Sequence, residues 1–273
     1  MKFAGIIAEY DPFHNGHAWQ AKARGAERVA VAMSCSLVQR GALPLLPEAV
    51  RTRSALTCGA DLVFALPAPC ACAGAEAFAR AGVALLAAAG CDGLVFGAET
   101  PDAALLMEAA ELLDSDSYRA ALKAQLAGGA RSFAAARQTA AAQLASDERV
   151  AALLDKPNNN LAVEYCRAIR SLAPRMEAYP LPRQGANHGE ALHSAHGQFA
   201  SASALRKLWA EGGADAVAPY VPEAVFPLYQ EAYAAGQYTD FSAAGRCELA
   251  LLRSACRGKA PFADIRGVSE GLE

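Results

Sequence analysis

Four short apolar runs, at residues 3–8, 28–33, 61–66 and 93–96, recur along the first third of the chain, each separated from the next by a segment able to form a helix. A run of this length bounded by Gly, Pro or Asp reads as a strand buried on both faces. Strands that alternate with helices are joined by crossovers, so the pattern predicts an α/β fold: a Rossmann-like parallel sheet wound with helices. The helices expected are Ala18–Gly25, Pro47–Cys58 and Ala73–Ala88, with turns at Gly59-Ala60-Asp61 and Gly90-Cys91-Asp92-Gly93. From Pro101 to Leu154 the pattern is wholly helical, with a break at Gly128-Gly129 and Ser132 as an N-cap, and is read as a helical insertion over about 101–155. A helix over Leu161–Leu172, a fifth strand within Met176–Leu181 and a polar loop to about residue 200 follow. Ser203 is expected to cap the next helix, which runs to Trp209, and short C-terminal helices make up the rest.

Ligands of such sheets bind beyond the carboxyl ends of the strands, where His14, Ser34, Leu66-Pro67 and Gly97 all fall. The first of these ends carries His14-Asn15-Gly16-His17, set after the Asp11-Pro12 break and at the start of a helix. Backbone N–H groups at a helix N-terminus are unpaired and face outward, two imidazoles three residues apart share a face, and Gly16 would let a ligand approach the backbone. That arrangement suits a triphosphate. The alternative is a plain helix start, with Asn15 as the N-cap and two solvated histidines.

Composition narrows the classes further. No apolar stretch reaches the length of a membrane span, and the N-terminus, with Glu9 and Asp11, lacks the pattern of a signal peptide, so a soluble cytoplasmic protein is expected. Eight cysteines without a CxxC pair read as reduced, buried small residues. A net charge of −3 gives no global pull towards nucleic acid, although Arg167, Arg170, Arg175, Arg183, Arg206 and Lys207 make the 162–209 stretch locally basic. His188, His193 and His196 have no Cys or carboxylate at ligand spacing, and no protein-held metal is expected.

Taken together, Gly5 through His17, Met33-Ser34, Val38-Gln39-Arg40-Gly41, Asp61-Leu62-Val63, Leu66-Pro67, Phe96-Gly97-Ala98-Glu99, Pro157-Asn158-Asn159, Glu164-Tyr165 and Ser201 through Arg206 resemble the bacterial tRNA(Met) cytidine acetate ligases. These are members of the HIGH-motif nucleotidyltransferase superfamily. The resemblance implies two steps: ATP and acetate give acetyl-adenylate and pyrophosphate, and the acetyl group then passes to N4 of the wobble cytidine of elongator tRNA(Met). It implies that His14, His17 and Arg206 act on the phosphates. It also implies that ATP follows Ile6, Ile7, Ala8, Glu9, Tyr10, Asp11, Pro12, Phe13, Asn15 and Gly16, and meets Gly97, Asn158, Asn159, Arg183, Ser201 and Ser203. Magnesium would arrive with ATP. From the residues alone, Gly97 is equally a strand-to-helix turn, the asparagines N-caps, Arg183 a solvated surface residue and Ser201–Arg206 a capped amphipathic helix.

The chain departs from that family at several positions. Asp11 stands where the family has Asn, which would set a carboxylate beside the triphosphate. Cys35-Ser36-Leu37 replaces Gly-Asn-Phe, Ala42-Leu43 replaces Glu-Pro, and Ala65 replaces an acidic residue. The last residues, Val268–Glu273, resemble an interior stretch of the family's C-terminal region, which implies a chain that stops short. The organisation expected is an ATP-binding unit over residues 1–210 and the start of a C-terminal helical region over 211–273. Two other readings stay open: a small-molecule nucleotidyltransferase of the same superfamily, and a non-catalytic nucleotide-binding protein.

Overall fold

The computed structural model describes residues 1–22, 25–129, 132–182, 192–194 and 197–257. Arg183, His188, His196 and the Val268–Glu273 stretch lie outside the described residues, and of His193 only the backbone is described. The first half follows the alternation expected: β1 (Phe3–Ala8), α1 (Asn15–Lys22), β2 (Arg28–Ser34), α2 (Glu48–Thr57), β3 (Leu62–Leu66), α3 (Ala68–Ala71), α4 (Ala75–Ala88) and β4 (Gly93–Ala98). Four helices follow, α5 (Ala103–Asp114), α6 (Asp116–Ala127), α7 (Phe133–Leu144) and α8 (Glu148–Leu153), then α9 (Pro157–Leu172) and β5 (Glu177–Pro182). A small hairpin of β6 (Leu192–Ser194) and β7 (Gly197–Phe199) leads to α10 (Ala202–Val217), α11 (Phe226–Ala234) and α12 (Phe241–Arg257).

The five strands lie in the order β3-β2-β1-β4-β5, and all four pairings are parallel. Strand order reverses direction at β1, so the switch point falls between β1 and β4. Their ladder is short. Only Ala4↔Gly93 and Gly5↔Leu94 pair, whereas β1 matches β2 from Phe3↔Arg28 to Ala8↔Met33. Beyond Leu94 the two strands part, and a crevice opens at their carboxyl ends.

Period-two alternation divides the strand side chains between two cores. Ile7, Ala30, Ala32, Leu94 and Phe96 enter one, with α4, α5 and α9; Ile6, Val31, Met33 and Val95 enter the other, with α10 and α11. In the first core α4 lies so close to the sheet that a Cβ on Gly82 would fall 2.5 Å from Ile7 Cδ1. In the second, Tyr229 donates its hydroxyl to Phe13 O at 2.7 Å, and Thr239 N donates to Leu45 O at 2.8 Å, stitching the C-terminal helices to the loops of the first strands.

Helix ends follow side chains that the sequence displays: Asp102, Ser115, Ser132 and Asp147 each accept a hydrogen bond from a backbone N–H of the helix they open. Four boundaries differ from expectation, one of them the start of α9, at Pro157 rather than Leu161. α1 starts at Asn15, three residues before Ala18, because His14 acts as its cap. The expected Ala73–Ala88 helix is α4, which starts two residues later because Gly74 is its N-cap, and a short helix not expected from the sequence, α3, precedes it after Pro67. The cap of α10 is Ser201, whose hydroxyl accepts from Ala204 N at 3.2 Å, and the helix runs on to Val217.

Glu164 of α9, with a side chain 3% exposed, is held by Arg137 Nη2 at 2.5 Å and Arg167 Nη1 at 2.7 Å, which ties α7 to α9 inside the helical layer. Removing the carboxylate leaves the largely buried Arg137 guanidinium without its counter-charge, while Arg167 keeps Asp114 at 2.8 Å. Glu164→Ala should lower unfolding stability by about 3 kcal/mol, measured from urea denaturation midpoints. A loss within about 0.5 kcal/mol would show that the network is worth no more than a surface pair.

Candidate functional site

The chain turns sharply as it leaves β1. Tyr10 adopts a positive φ of 51°, and its buried ring packs edge-on to Phe13 and His17, each at 4.8 Å between centroids. Such a backbone costs on the order of 1–3 kcal/mol and persists only where its surroundings hold it, here through the aromatic contacts. The next turn starts α1. His14 O accepts from His17 N at 2.9 Å, His14 Nδ1 accepts from Gly16 N at 3.0 Å, and His17 Nδ1 accepts from His14 N at 3.3 Å. Two histidines thus cap the helix reciprocally, with their rings stacked at 3.8 Å. With each Nδ1 accepting, the proton of each neutral ring sits on Nε2.

Gly16 lines the cavity beside the histidines and also has a packing role. A Cβ there would lie 2.9 Å from His14 Cε1, so the missing side chain makes room for the His14 imidazole. Asn15 is not the cap; its side-chain amide donates to Pro219 O at 3.3 Å.

Around the two histidines lie two adjoining cavities of about 210 and 310 Å³, which share Ile7, His14, His17, Gln20, Asn158, Leu161 and Tyr165. The first extends to Phe96 and Gly97 at the end of β4 and to Leu181 and Pro182 of β5; the second runs along Ala8, Glu9, Tyr10 and Asp11 to Ala202 at the start of α10. Gln20 Nε2 donates to Val95 O at 3.0 Å, supplying a partner to a β4 carbonyl beyond the last β1–β4 pair. Ile6, Pro12 and Phe13 do not line either cavity; Ile6 and Phe13 are core residues, Ile6 because it points to the opposite face of the sheet from Ile7.

The two asparagines part company. Glu99, just after β4, accepts from Asn158 Nδ2 at 2.6 Å and from Asn159 N at 2.7 Å, so its carboxylate occupies the N-terminus of α9. Asn158 lines both cavities. Asn159 is 1% exposed and lies behind them: its Oδ1 accepts from Thr100 N at 2.9 Å and its Nδ2 donates to Thr100 Oγ1 at 3.1 Å. It fastens the end of β4 to α9.

Asp11 and Arg206 meet across most of the chain. Arg206 Nη1 donates to Asp11 O at 2.7 Å and to Asp11 Oδ2 at 3.1 Å, while Asp11 Oδ1 accepts from Leu45 N at 2.6 Å. The basic neighbour that compensates this carboxylate is therefore Arg206. Ser201 is buried as the α10 cap and pairs with Ser203 Oγ at 3.1 Å.

Arg51 has no counterpart among the residues expected at the site. It is fully buried, donating from Nε to Leu46 O at 3.0 Å, from Nη1 to Glu9 O at 2.7 Å and Ser34 O at 2.6 Å, and from Nη2 to Cys35 O. One guanidinium thereby gathers the loops beyond β1 and β2. Burial, the largest influence, pushes the carboxyls of Glu9 and Asp11 above their ordinary values, opposed by the backbone bonds from Gln39 and Leu45 and by Arg206 and Arg51. Among the described residues no group of three or more His, Cys, Asp or Glu could hold a metal ion.

If Arg206 chiefly serves Asp11, Arg206→Ala should cost about 1–3 kcal/mol of stability, at the lower end because water still reaches the guanidinium. In an Asp11→Asn background the same change should cost under about 1 kcal/mol. Denaturation of the four proteins gives the coupling, and additive losses would show the pair to be incidental. A second expectation concerns pH. Glu9 binds its proton more tightly in the folded chain than in the unfolded one, so ionising it opposes folding, and its contribution falls as pH rises from 4.5 through the raised value. Glu9→Gln, which keeps an acceptor for Gln39 N, should flatten that decline in urea midpoints; an unchanged slope would remove Glu9 as its source.

The HIGH Nucleotidyl Transferase family matches residues 1–273. The chain is 40% identical to a tRNA(Met) cytidine acetate ligase of Syntrophotalea carbinolica, over 78% of this chain and 52% of that protein. It is 34% identical to one of Caldanaerobacter subterraneus subsp. tengcongensis, over 100% of this chain and 68% of that protein. The chain thus spans roughly half to two thirds of the length of these relatives. Among solved structures, Thermotoga maritima TmcAL bound with alpha-thio ATP is similar with a TM-score of 0.78 and 30% identity, covering 87% of this chain and 57% of that one.

Proposed function

Because the chain belongs to the HIGH nucleotidyl transferase family, we propose that it activates acetate with ATP and passes the acetyl group to N4 of the wobble cytidine of elongator tRNA(Met). The observation that carries this reading is the reciprocal His14–His17 cap, set at the switch point of a parallel sheet and shared by two adjoining cavities. A relative crystallised with alpha-thio ATP supports a nucleotide as ligand.

In this reading the nucleoside lies against Gly97 and Asn158, and the triphosphate runs past His14 and His17 towards Glu9, Ser203 and the start of α10. Arg183, next in the chain after β5, would contribute a positive charge to the nucleotide site. Each imidazole offers its Nε2–H to phosphate oxygens as charge moves onto them. An acetate oxygen attacks the α-phosphorus, and the bond to the β-phosphate oxygen breaks, releasing pyrophosphate. The cytidine N4 amine then attacks the acetyl carbonyl; AMP leaves with the electron pair of the broken bond, and the amine loses a proton. The chain has no need of a covalent intermediate, because holding the carboxylate in line with the phosphorus supplies much of the rate. Magnesium would ride on the phosphates, since the described residues form no cage of their own for it. Residues 1–210 form the ATP-binding unit in this scheme, and 211–273 begin the region that meets tRNA in the cytoplasm.

The test is acetate-dependent exchange of labelled pyrophosphate into ATP. The chain should catalyse it, and His17→Ala should lower the rate about 100-fold, as loss of a single donor to developing charge does elsewhere. Exchange that ignores acetate would favour a small-molecule nucleotidyltransferase, and no exchange at all a non-catalytic nucleotide-binding protein.

A further inference from the structure

Arg206, whose guanidinium holds Asp11 at the edge of the nucleotide cleft, also lines a separate cavity of about 360 Å³ between α10 and the start of α12. Aromatic rings wall it. Trp209 of α10 meets Tyr233 of α11 at 5.6 Å and Tyr238 at 5.8 Å, and the two tyrosines stack on one another at 5.3 Å and 19°. Tyr233, Tyr238 and Phe241 are 44%, 37% and 41% exposed, so three large rings stand open around one hollow. Rings assembled only for stability are covered, and a concave, exposed cluster of them marks a surface that binds something.

Two further observations bear on the occupant. Trp209 is 3% exposed, yet its Nε1–H has no hydrogen-bond partner among the described residues. Native folds rarely leave a buried donor unsatisfied, and one in the wall of a cavity is a place for a ligand's acceptor. The wall also carries Glu211 and Asp240, which would repel a phosphate but accept from an amine. The fold is shaped around the rings as well: α10 is interrupted at Gly213, with φ +67°, where a Cβ would stand 2.6 Å from Tyr233 Cζ.

We propose that this cavity receives one unpaired base of the RNA substrate. The flat ring extends the Tyr233–Tyr238 stack, a ring nitrogen or carbonyl accepts from Trp209 Nε1, and an exocyclic amine donates to a wall carboxylate, while the phosphates remain outside. Bases with an amine, such as cytosine, are favoured over uracil. A base seated here is one side chain, Arg206, away from the residues beside the nucleotide cleft, so the site would hold a neighbour of the nucleotide being modified. The inference rests on the RNA-directed reading above, but not on turnover.

The test is fluorescence anisotropy with labelled short oligocytidylate and oligouridylate, without ATP or acetate, so that a chain inactive in pyrophosphate exchange can still pass it and an active one can fail. Oligocytidylate should bind more tightly than oligouridylate. Tyr238→Ala should weaken oligocytidylate binding by about 5- to 100-fold, and Tyr238→Phe, which keeps the ring, should restore most of it. Trp209→Phe should weaken it by about two- to tenfold. ATP affinity, measured on each variant as the check of folding, should not change. Oligonucleotide affinities equal to that of the unmodified chain in both Tyr238→Ala and Trp209→Phe, or no binding of either oligonucleotide by the unmodified chain, would overturn the proposal.

Discussion

The parting of β1 and β4 is the constraint on which the rest of the molecule depends. A parallel ladder satisfies backbone groups as long as the strands run side by side; once they separate, each freed N–H and C=O needs another partner. Here pairing ends after Gly5↔Leu94, and what the open wedge contains is dictated by that debt. Gln20 reaches across to Val95 O, Glu99 covers the start of α9, and the His14–His17 pair covers the start of α1. The residues that rim the cleft are therefore also those that make the cleft tolerable to the fold.

Electrostatically the cleft is a balance struck underneath the surface rather than on it. Glu9 and Asp11 bring carboxylates to the β1 end, and Arg51 of α2 and Arg206 of α10 bring guanidinium groups to them. Arg51 makes its hydrogen bonds to carbonyls, so its charge acts on both carboxylates at short range without being consumed by one ion pair. Asp11 and Arg51 are taken out of water and Glu9 and Arg206 partly so, which is costly, and the arrangement is sustained because each has hydrogen-bond partners as well as counter-charges.

Much of the fold was legible because strand identity depends on local apolar runs, and the histidine motif because it sits at a strand end that the pattern itself locates. What escaped depended on partners far away in sequence. Arg51 lies in Arg51-Thr52-Arg53 and looks like a solvated charge; only its spacing to Ser54 and Ala55, which share the buried stripe with Val50, hints that it faces inward. Asn158 and Asn159 are indistinguishable in the chain, and one of them lines the cavities only because Glu99 and Thr100 fix the register of α9. Ser201 and Ser203 compete for one cap, and the backbone decides between them. For Asp11 the sequence shows a carboxylate beside the histidine motif, and only the fold shows Arg206 and Leu45 N set against it.

Asp11 and Arg206 stand 195 residues apart in the chain. During synthesis at about 5–20 residues per second, that interval is roughly 10–40 s. For all of it the acidic turn after the first strand, which ends up in the middle of the sheet, lacks Arg206 and has Arg51 as its nearby cation. β2 can pair with β1 early, but β4 and the capping arginine arrive later and in that order. The cleft is thus the last part of the sheet to close, and a nascent chain keeps its apolar β1 edge open in the meantime. Such an edge is a docking point for chaperones or for a neighbouring chain, so conditions of fast, crowded synthesis should reduce the yield of folded protein more than they reduce its stability once folded.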